Sequence, residues 1–146
     1  HTETYPHRLE AGTLNLLGII GLAAGMKQVR HEGISAIHQR EMVMLERLHQ
    51  GLISMDNVMV YGPAPTKNRV PVLSCNVSHL PASDVGMILD GDFDIAVRTG
   101  LHCAPLVHAD LGTGRFGAIR FSPGFFNTEI HVERALEAMA QISKKS

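Results

Sequence analysis

The sequence lacks a charge excess of either sign. Its 13 Lys and Arg residues stand against 14 Asp and Glu residues, which gives a formal net charge of -1. A chain with balanced charge has no overall field that attracts nucleic acid, and no basic run suggests binding to a membrane surface. We therefore expect neither nucleic acid nor a membrane among its partners.

Cysteines and long apolar runs are also scarce. Cys75 and Cys103 are the two cysteines, and a chain of 146 residues with 45% hydrophobic residues is large enough for one domain with its own core. Such a core needs no disulfide framework, so a reducing compartment is favoured and the cytoplasm is the default. The most apolar stretch, residues 14–26, is shorter than the about 20 residues that span a bilayer.

The N-terminal segment has no initiator methionine and none of the charged and apolar regions of a signal peptide. No repeat or low-complexity tract follows it. This beginning is typical of the middle of a longer chain. We therefore expect residues 1–146 to form a single domain of a longer protein.

Hydrophobic periodicity predicts an alternation of paired helices and paired strands. Helices are expected at residues 13–29, 34–51, 81–91 and 127–143, and strands at 58–61, 73–77, 95–98 and 117–122. Because the strands are adjacent in pairs, the order favours an α+β fold with helices covering a small, largely antiparallel sheet. Gly18, Gly21 and Gly25 recur on one face of the first helix, which predicts the close approach of another element.

Two details of these elements bear on function. In the second strand, Leu73, Cys75 and Val77 alternate with the polar residues between them, so Cys75 is expected to be an ordinary core thiol. Asn127 and Thr128 are suited to cap the last helix.

The segment from Val97 to Pro105 holds the strongest candidate for chemistry. It reads Val-Arg-Thr-Gly-Leu-His-Cys-Ala-Pro, and it places Cys103 in a loop where a substrate has access. Positive charge from Arg98 and His102 would favour the thiolate, which is the nucleophilic form. An inert loop cysteine is equally supported by these residues. A zinc site from His102, Cys103 and His108 is weaker, because adjacent residues seldom both bind one tetrahedral metal, and we predict no metal.

Arg120 is the second candidate. Its strand places it on the face opposite Ile119 and Phe121, where a planar guanidinium suits bidentate binding of a carboxylate. A solvated arginine on an open sheet face is the alternative. The nearby Gly112–Gly117 segment matches the spacing G-x-G-x-x-G, but a strand rather than a helix follows it, so a dinucleotide site is not predicted.

Three motifs follow one another in the order of a known family. They are Arg8-Leu-Glu-Ala-Gly-Thr-Leu-Asn15 with Gly18-Ile-Ile-Gly-Leu22, Ile95-Ala-Val-Arg-Thr-Gly-Leu-His-Cys-Ala104, and Ile119-Arg-Phe-Ser122 with Phe126-Asn-Thr128. Together they resemble the C-terminal small domain of class V fold-type-I pyridoxal-phosphate enzymes, especially the cysteine desulfurase and selenocysteine lyase group. The resemblance covers nearly the whole chain and implies the α+β fold of that domain.

The resemblance also implies roles for individual residues. Cys103 would take sulfur or selenium from the amino-acid substrate as a persulfide, with release of alanine. Arg120 would bind the substrate carboxylate, and Arg98 would be a second active-site arginine. Gly12 and Thr13 would contact the phosphate of pyridoxal phosphate in the neighbouring subunit, a placement before a helix start that suits an anion.

Partners follow from the same resemblance. A homodimer is implied, together with a large domain that supplies the cofactor-binding lysine and an acid, and a protein that accepts sulfur. None of Lys27, Lys67, Lys144 and Lys145 lies in a suitable setting, so the isolated chain is expected to bind no cofactor and to be inactive. A class V aminotransferase-like enzyme and a non-enzymatic binding domain that keeps the family pattern are the alternatives.

Overall fold

The computed structural model describes residues 3–10, 12–65 and 68–144, and it divides the chain into two compact units, His1–Ile37 and His38–Ser146. After a short 3-10 helix at His7–Leu9, the helices are α1 (Leu16–Glu32), α2 (Ile34–Ile53), α3 (Ala82–Phe93), α4 (Pro105–Asp110) and α5 (Glu129–Lys144). The strands are β1 (Val58–Tyr61), β2 (Leu73–Val77), β3 (Arg98–Gly100) and β4 (Ala118–Phe121). No helix within these described ranges has the length and apolar character needed to cross a bilayer.

Helix α1 of the first unit begins later than the sequence predicts because Asn15 caps it. The Asn15 side chain accepts a hydrogen bond from the backbone nitrogen of Gly18 at 2.9 Å. A Cβ atom at position 18 would overlap the Asn15 side chain, so this glycine makes room for the cap. Gly21 and Gly25 have open space where a Cβ would stand. The close approach predicted along this face therefore remains a prediction for those two positions.

The second unit is built on a four-stranded sheet. Its order is β1-β2-β4-β3, and every pair of neighbouring strands is antiparallel. Helices α2, α3 and α5 contribute the residues that pack on one face. The predicted α+β fold with a small antiparallel sheet is confirmed.

The core of this unit follows the alternation of the strands. Leu73, Cys75 and Val77 are buried, and so are Ile119 and Phe121 from β4. The prediction that Cys75 is a core thiol is confirmed, and burial raises its pKa to about 12, because a thiolate is poorly stabilised away from water.

Several predicted boundaries are wrong, each for a local reason. Helix α3 passes Gly91 and ends at Phe93, because Asp94 takes the left-handed conformation (φ 56°) and its N–H bonds to the carbonyls of Asp90 and Leu89. Strand β3 begins at Arg98 rather than at residue 95. The apolar residues before it pack against the core without strand pairing.

Two further segments differ from the prediction. The segment after Cys103 contains α4, which starts with Pro105 at a position that needs no N–H donor. Asn127 does not cap α5: its side-chain oxygen accepts from the backbone nitrogen of Gly124 at 2.8 Å and closes the preceding turn. The backbone nitrogen of Thr128 instead donates to Nδ1 of His131, at 3.2 Å.

Candidate functional site

The open face of the sheet in the second unit is polar and carries two arginines. Strand register places Arg98 of β3 directly opposite Arg120 of β4, and Ser74 of β2 on the other side of Arg120. Arg98 is exposed and Arg120 is half-buried. The sequence separates these two arginines by 22 positions, and the antiparallel pairing brings them together.

No acid among the described residues compensates this pair of cations. Like charges directly opposite each other in a sheet are unfavourable. In the part of the chain that the structure describes, neither Arg98 nor Arg120 forms an ion pair with a carboxylate. Within the same ranges, Nε of Arg120 is buried without a hydrogen-bond partner. The arrangement therefore suits an anionic ligand that can accept from both guanidinium groups.

A close contact between two glycines fixes the loop of Cys103 against the arginine strand. Gly100 (φ 103°) ends β3, and Gly117 (φ 68°) precedes β4. A Cβ atom at Gly117 would overlap the backbone of Gly100. The two backbones thus meet, three residues before Cys103, at a distance that requires glycine at position 117.

Cys103 itself is exposed and lies on an unusual backbone. His102 (φ 52°) and Cys103 (φ 59°) both take the left-handed conformation, which non-glycine residues adopt rarely and usually at functional sites. The turn is closed by a hydrogen bond from the backbone nitrogen of Ala104 to the carbonyl of Leu101, at 2.8 Å. This turn presents the thiol at the surface and not in the core.

His102 is held in one tautomer by its neighbours. Its Nε2 lies 3.2 Å from the carbonyl oxygen of Arg98, so Nε2 carries the hydrogen and Nδ1 is the ring nitrogen that can accept a proton. Partial burial lowers the pKa of His102 below 6.5, as do the charges of Arg120, His108 and Arg98, while the bond to the carbonyl acts in the opposite direction. At neutral pH the ring is therefore uncharged, and the positive charge of this region comes from the arginines.

His108 on α4 is buried behind this turn. Its Nδ1 lies 2.7 Å from the hydroxyl of Thr113, and its ring centroid lies 5.7 Å from that of His102. The backbone nitrogen of Thr113 also donates to the carbonyl of His108, at 2.9 Å. These contacts give His108 a structural place between the Cys103 turn and the next loop. No three His, Cys, Asp or Glu side chains among residues 3–10, 12–65 and 68–144 are grouped to hold a metal ion.

Asn76 is a polar residue of this face that the sequence did not mark as functional. Its Nδ2 donates to the carbonyl of Gly117 at 2.9 Å and to the hydroxyl of Tyr61 at 3.3 Å. Its Oδ1 is buried and has no hydrogen-bond partner in the described residues. The alternation of β2 already placed Asn76 on the polar face, which was the available signal.

Gly12 and Thr13 belong to the first unit, and the structure describes them there. Gly12 has a left-handed φ of 79° with open space around its Cα, and Thr13 is exposed ahead of α1. An exposed backbone and a hydroxyl before a helix start fit a phosphate group. Lys27 on α1 and Lys144 on α5 are both exposed. Lys67 and Lys145 lie outside the described residues.

Comparisons with known proteins agree on one family. The family model for class-V aminotransferases matches residues 1–135. The chain is 37% identical over 143 residues to a probable cysteine desulfurase of Xylella fastidiosa, a match that covers 97% of this chain and 33% of that protein. A probable cysteine desulfurase of Methanothermobacter thermautotrophicus is 36% identical, with 97% and 35% covered.

A solved structure gives the same result for the fold. The apo structure of a cysteine desulfurase from Thermococcus onnurineus matches with a TM-score of 0.87 at 39% identity, over 97% of this chain and 34% of that one. The chain thus spans about a third of the length of the relatives it matches.

Proposed function

The chain belongs to the aminotransferase class-V family, and we propose that it is the C-terminal part of a pyridoxal-phosphate-dependent cysteine desulfurase. The parent enzyme removes sulfur from cysteine and releases alanine. The observation that carries this proposal is the pair Arg98 and Arg120, without an acidic partner in the described residues, beside the turn that exposes Cys103. The proteins similar to this chain include several named as cysteine desulfurases.

Arg120 binds the carboxylate of the amino-acid substrate in this proposal. A guanidinium offers two parallel N–H donors to a carboxylate, which fixes orientation as well as position. Arg98 stands opposite Arg120 and adds a second positive charge on the same face. The substrate carboxylate then relieves the repulsion between the two arginines.

Cys103 accepts the sulfur. Its thiolate forms a bond to the substrate sulfur while the substrate's carbon–sulfur bond breaks, which leaves a persulfide on Cys103. The electron pair of the broken bond stays with the carbon, and protonation of that carbon gives alanine. When bound, pyridoxal phosphate supplies the electron withdrawal that makes the substrate carbons reactive. In this proposal Nδ1 of His102, the residue next to Cys103 in the chain, takes up the thiol proton.

The rest of the active site is shared between the two subunits and a second domain. Gly12 and Thr13 hold the cofactor phosphate of the neighbouring subunit, which makes the parent enzyme a homodimer. A large domain supplies the lysine and the acid that the cofactor requires. The isolated chain therefore neither retains pyridoxal phosphate nor turns over cysteine.

The exposed position of Cys103 fits transfer of the persulfide sulfur to an acceptor protein. Selenocysteine is a second substrate of the same chemical class, because its selenium is attacked in the same way. We place this chemistry in the cytoplasm, where thiols stay reduced.

The test uses the full-length parent protein, its absorbance in the pyridoxal band and its release of alanine from cysteine. We expect Cys103→Ser to keep the cofactor and to lose alanine release. The matched control is Cys75→Ala, which removes the buried thiol and should leave alanine release in place. A cofactor-containing protein indifferent to Cys103→Ser would be another class V enzyme, such as an aminotransferase-like one. A parent protein without cofactor would be a non-enzymatic binding domain.

A further inference from the structure

Two buried polar atoms on the open sheet face are complementary in their hydrogen-bonding chemistry. Nε of Arg120 is a donor, Oδ1 of Asn76 is an acceptor, and both lack a hydrogen bond among the described residues. Buried polar groups are usually paired, since an unpaired one loses its water without compensation. Two unpaired groups on one face therefore indicate a place where a bond or a ligand belongs.

The strand register brings these two residues within reach. Ser74 lies opposite Arg120, and Cys75 lies opposite Ile119. Asn76 is thus the diagonal neighbour of Arg120 on the same face of the sheet. Diagonal neighbours in an antiparallel pair have Cα atoms about 7–8 Å apart, a separation that a long side chain spans.

The orientation of the Asn76 amide is fixed by its other contacts. Nδ2 donates to the Gly117 carbonyl at 2.9 Å, and a carbonyl is able only to accept. The hydroxyl of Tyr61 lies 3.3 Å from the same nitrogen. With Nδ2 bound in this way, Oδ1 is the atom left for a donor, and Nε of Arg120 is the unpaired donor on the neighbouring strand.

We propose that Asn76 is a positioning residue for Arg120, whose Nε–H donates to Oδ1 of Asn76 when the substrate carboxylate binds. This contact leaves Nη1 and Nη2 of Arg120 to bind the carboxylate end-on, through two parallel N–H donors. Because Asn76 is also bonded to Gly117, whose backbone packs on Gly100, the same residue ties the orientation of Arg120 to the Cys103 loop. The inference rests on the proposed function, since it concerns the carboxylate of that substrate.

A double-mutant cycle in the full-length enzyme separates positioning from general support of the fold. We expect Asn76→Ala to raise KM for cysteine about tenfold, the size expected for a lost hydrogen bond to a charged group, with a smaller change in kcat. In an Arg120→Lys background, where no Nε–H remains at the guanidinium position, the same substitution should change KM little. If Asn76→Ala raised KM by the same factor in the wild-type and Arg120→Lys enzymes, the inference would be overturned. The control Met59→Ala removes an exposed side chain of the same face and should leave KM unchanged.

A second measurement needs no variant and therefore does not depend on how Asn76→Ala folds. The crystal structure of the wild-type enzyme with bound L-alanine should place Nε of Arg120 within hydrogen-bond distance of Oδ1 of Asn76, with the carboxylate on Nη1 and Nη2. A carboxylate bound through Nε would overturn the inference. A wild-type enzyme that releases no alanine from cysteine would instead refute the proposed function, so the two failures are distinguishable.

Discussion

Gly117→Ala is expected to destabilise the second unit more than the same change at Gly112, although both glycines have nearly the same φ angle. Gly112 has φ 70° and Gly117 has φ 68°, so alanine meets similar strain at each. That strain costs about 1–2 kcal/mol, the usual penalty of an L-residue in the left-handed region. At Gly112 nothing lies within 4 Å of an added Cβ, whereas at Gly117 the Cβ would overlap the backbone of Gly100.

The difference between the two variants isolates the close contact of β3 and β4. Relieving the overlap means moving the backbone, and overpacking of this kind costs about 1–3 kcal/mol. We therefore expect the free energy of unfolding of Gly117→Ala to lie about 1–3 kcal/mol below that of Gly112→Ala. Urea denaturation followed by circular dichroism measures both. Equal values for the two variants would show that the contact of Gly117 with Gly100 does not constrain the fold.

Three further predictions concern single side chains. Iodoacetamide should modify Cys103 in the native protein and leave Cys75 unmodified until the protein unfolds, because Cys75 is buried and burial raises its pKa to about 12. Mass spectrometry of the peptides measures both, and labelling of Cys75 in the native protein would refute this prediction. In a carbon-13 NMR titration, His102 should have its midpoint below 6.5. The folded state then binds the His102 proton less tightly than the unfolded chain does, so the free energy of unfolding should fall as pH drops through about 6.5. A midpoint above 6.5 would mean that the free energy of unfolding rises instead. Leu89→Ala should cost about 2–5 kcal/mol of unfolding free energy, since Leu89 is fully buried. Met87→Ala, on the same helix but exposed, should change it by less than about 0.5 kcal/mol, and a similar loss for both would contradict the assigned core.

The sequence predicts the layers of the fold well because burial follows simple periods. The alternation of Leu73, Cys75 and Val77 predicted which face of β2 is buried, and the adjacent pairs of strands predicted an antiparallel sheet. Long helices such as α2 have enough turns for a 3.6-residue pattern to be clear. These features depend on local chemistry that each segment carries by itself.

The boundaries that failed depend on partners elsewhere in the chain. Ile95 and Val97 have strand-like alternation, but the hydrogen-bonded register with β4 starts only at Arg98. Helix α4 has 6 residues, too few for a periodic pattern, and Pro105 was its one local signal. The end of α3 was set by Asp94 in a left-handed conformation, which its sequence only weakly indicates.

The site was partly predictable because some of its residues lie in local sequence motifs. Cys103, Arg98 and Arg120 stand in motifs that are readable from the sequence, and their residue types carry the chemistry. Strand register places Arg98 opposite Arg120, and no single segment specifies that register. The lack of a hydrogen bond at Oδ1 of Asn76 among the described residues also depends on neighbouring strands.

The mass of the Cys103 peptide, measured after the full-length enzyme has reacted with cysteine, shows whether Cys103 accepts the sulfur. We expect this peptide to gain the mass of one sulfur atom, a reductant to remove that added mass, and the Cys75 peptide to stay unchanged. If alanine were released while the Cys103 peptide kept its original mass, Cys103 would not be the sulfur acceptor, because the sulfur would have left by another route.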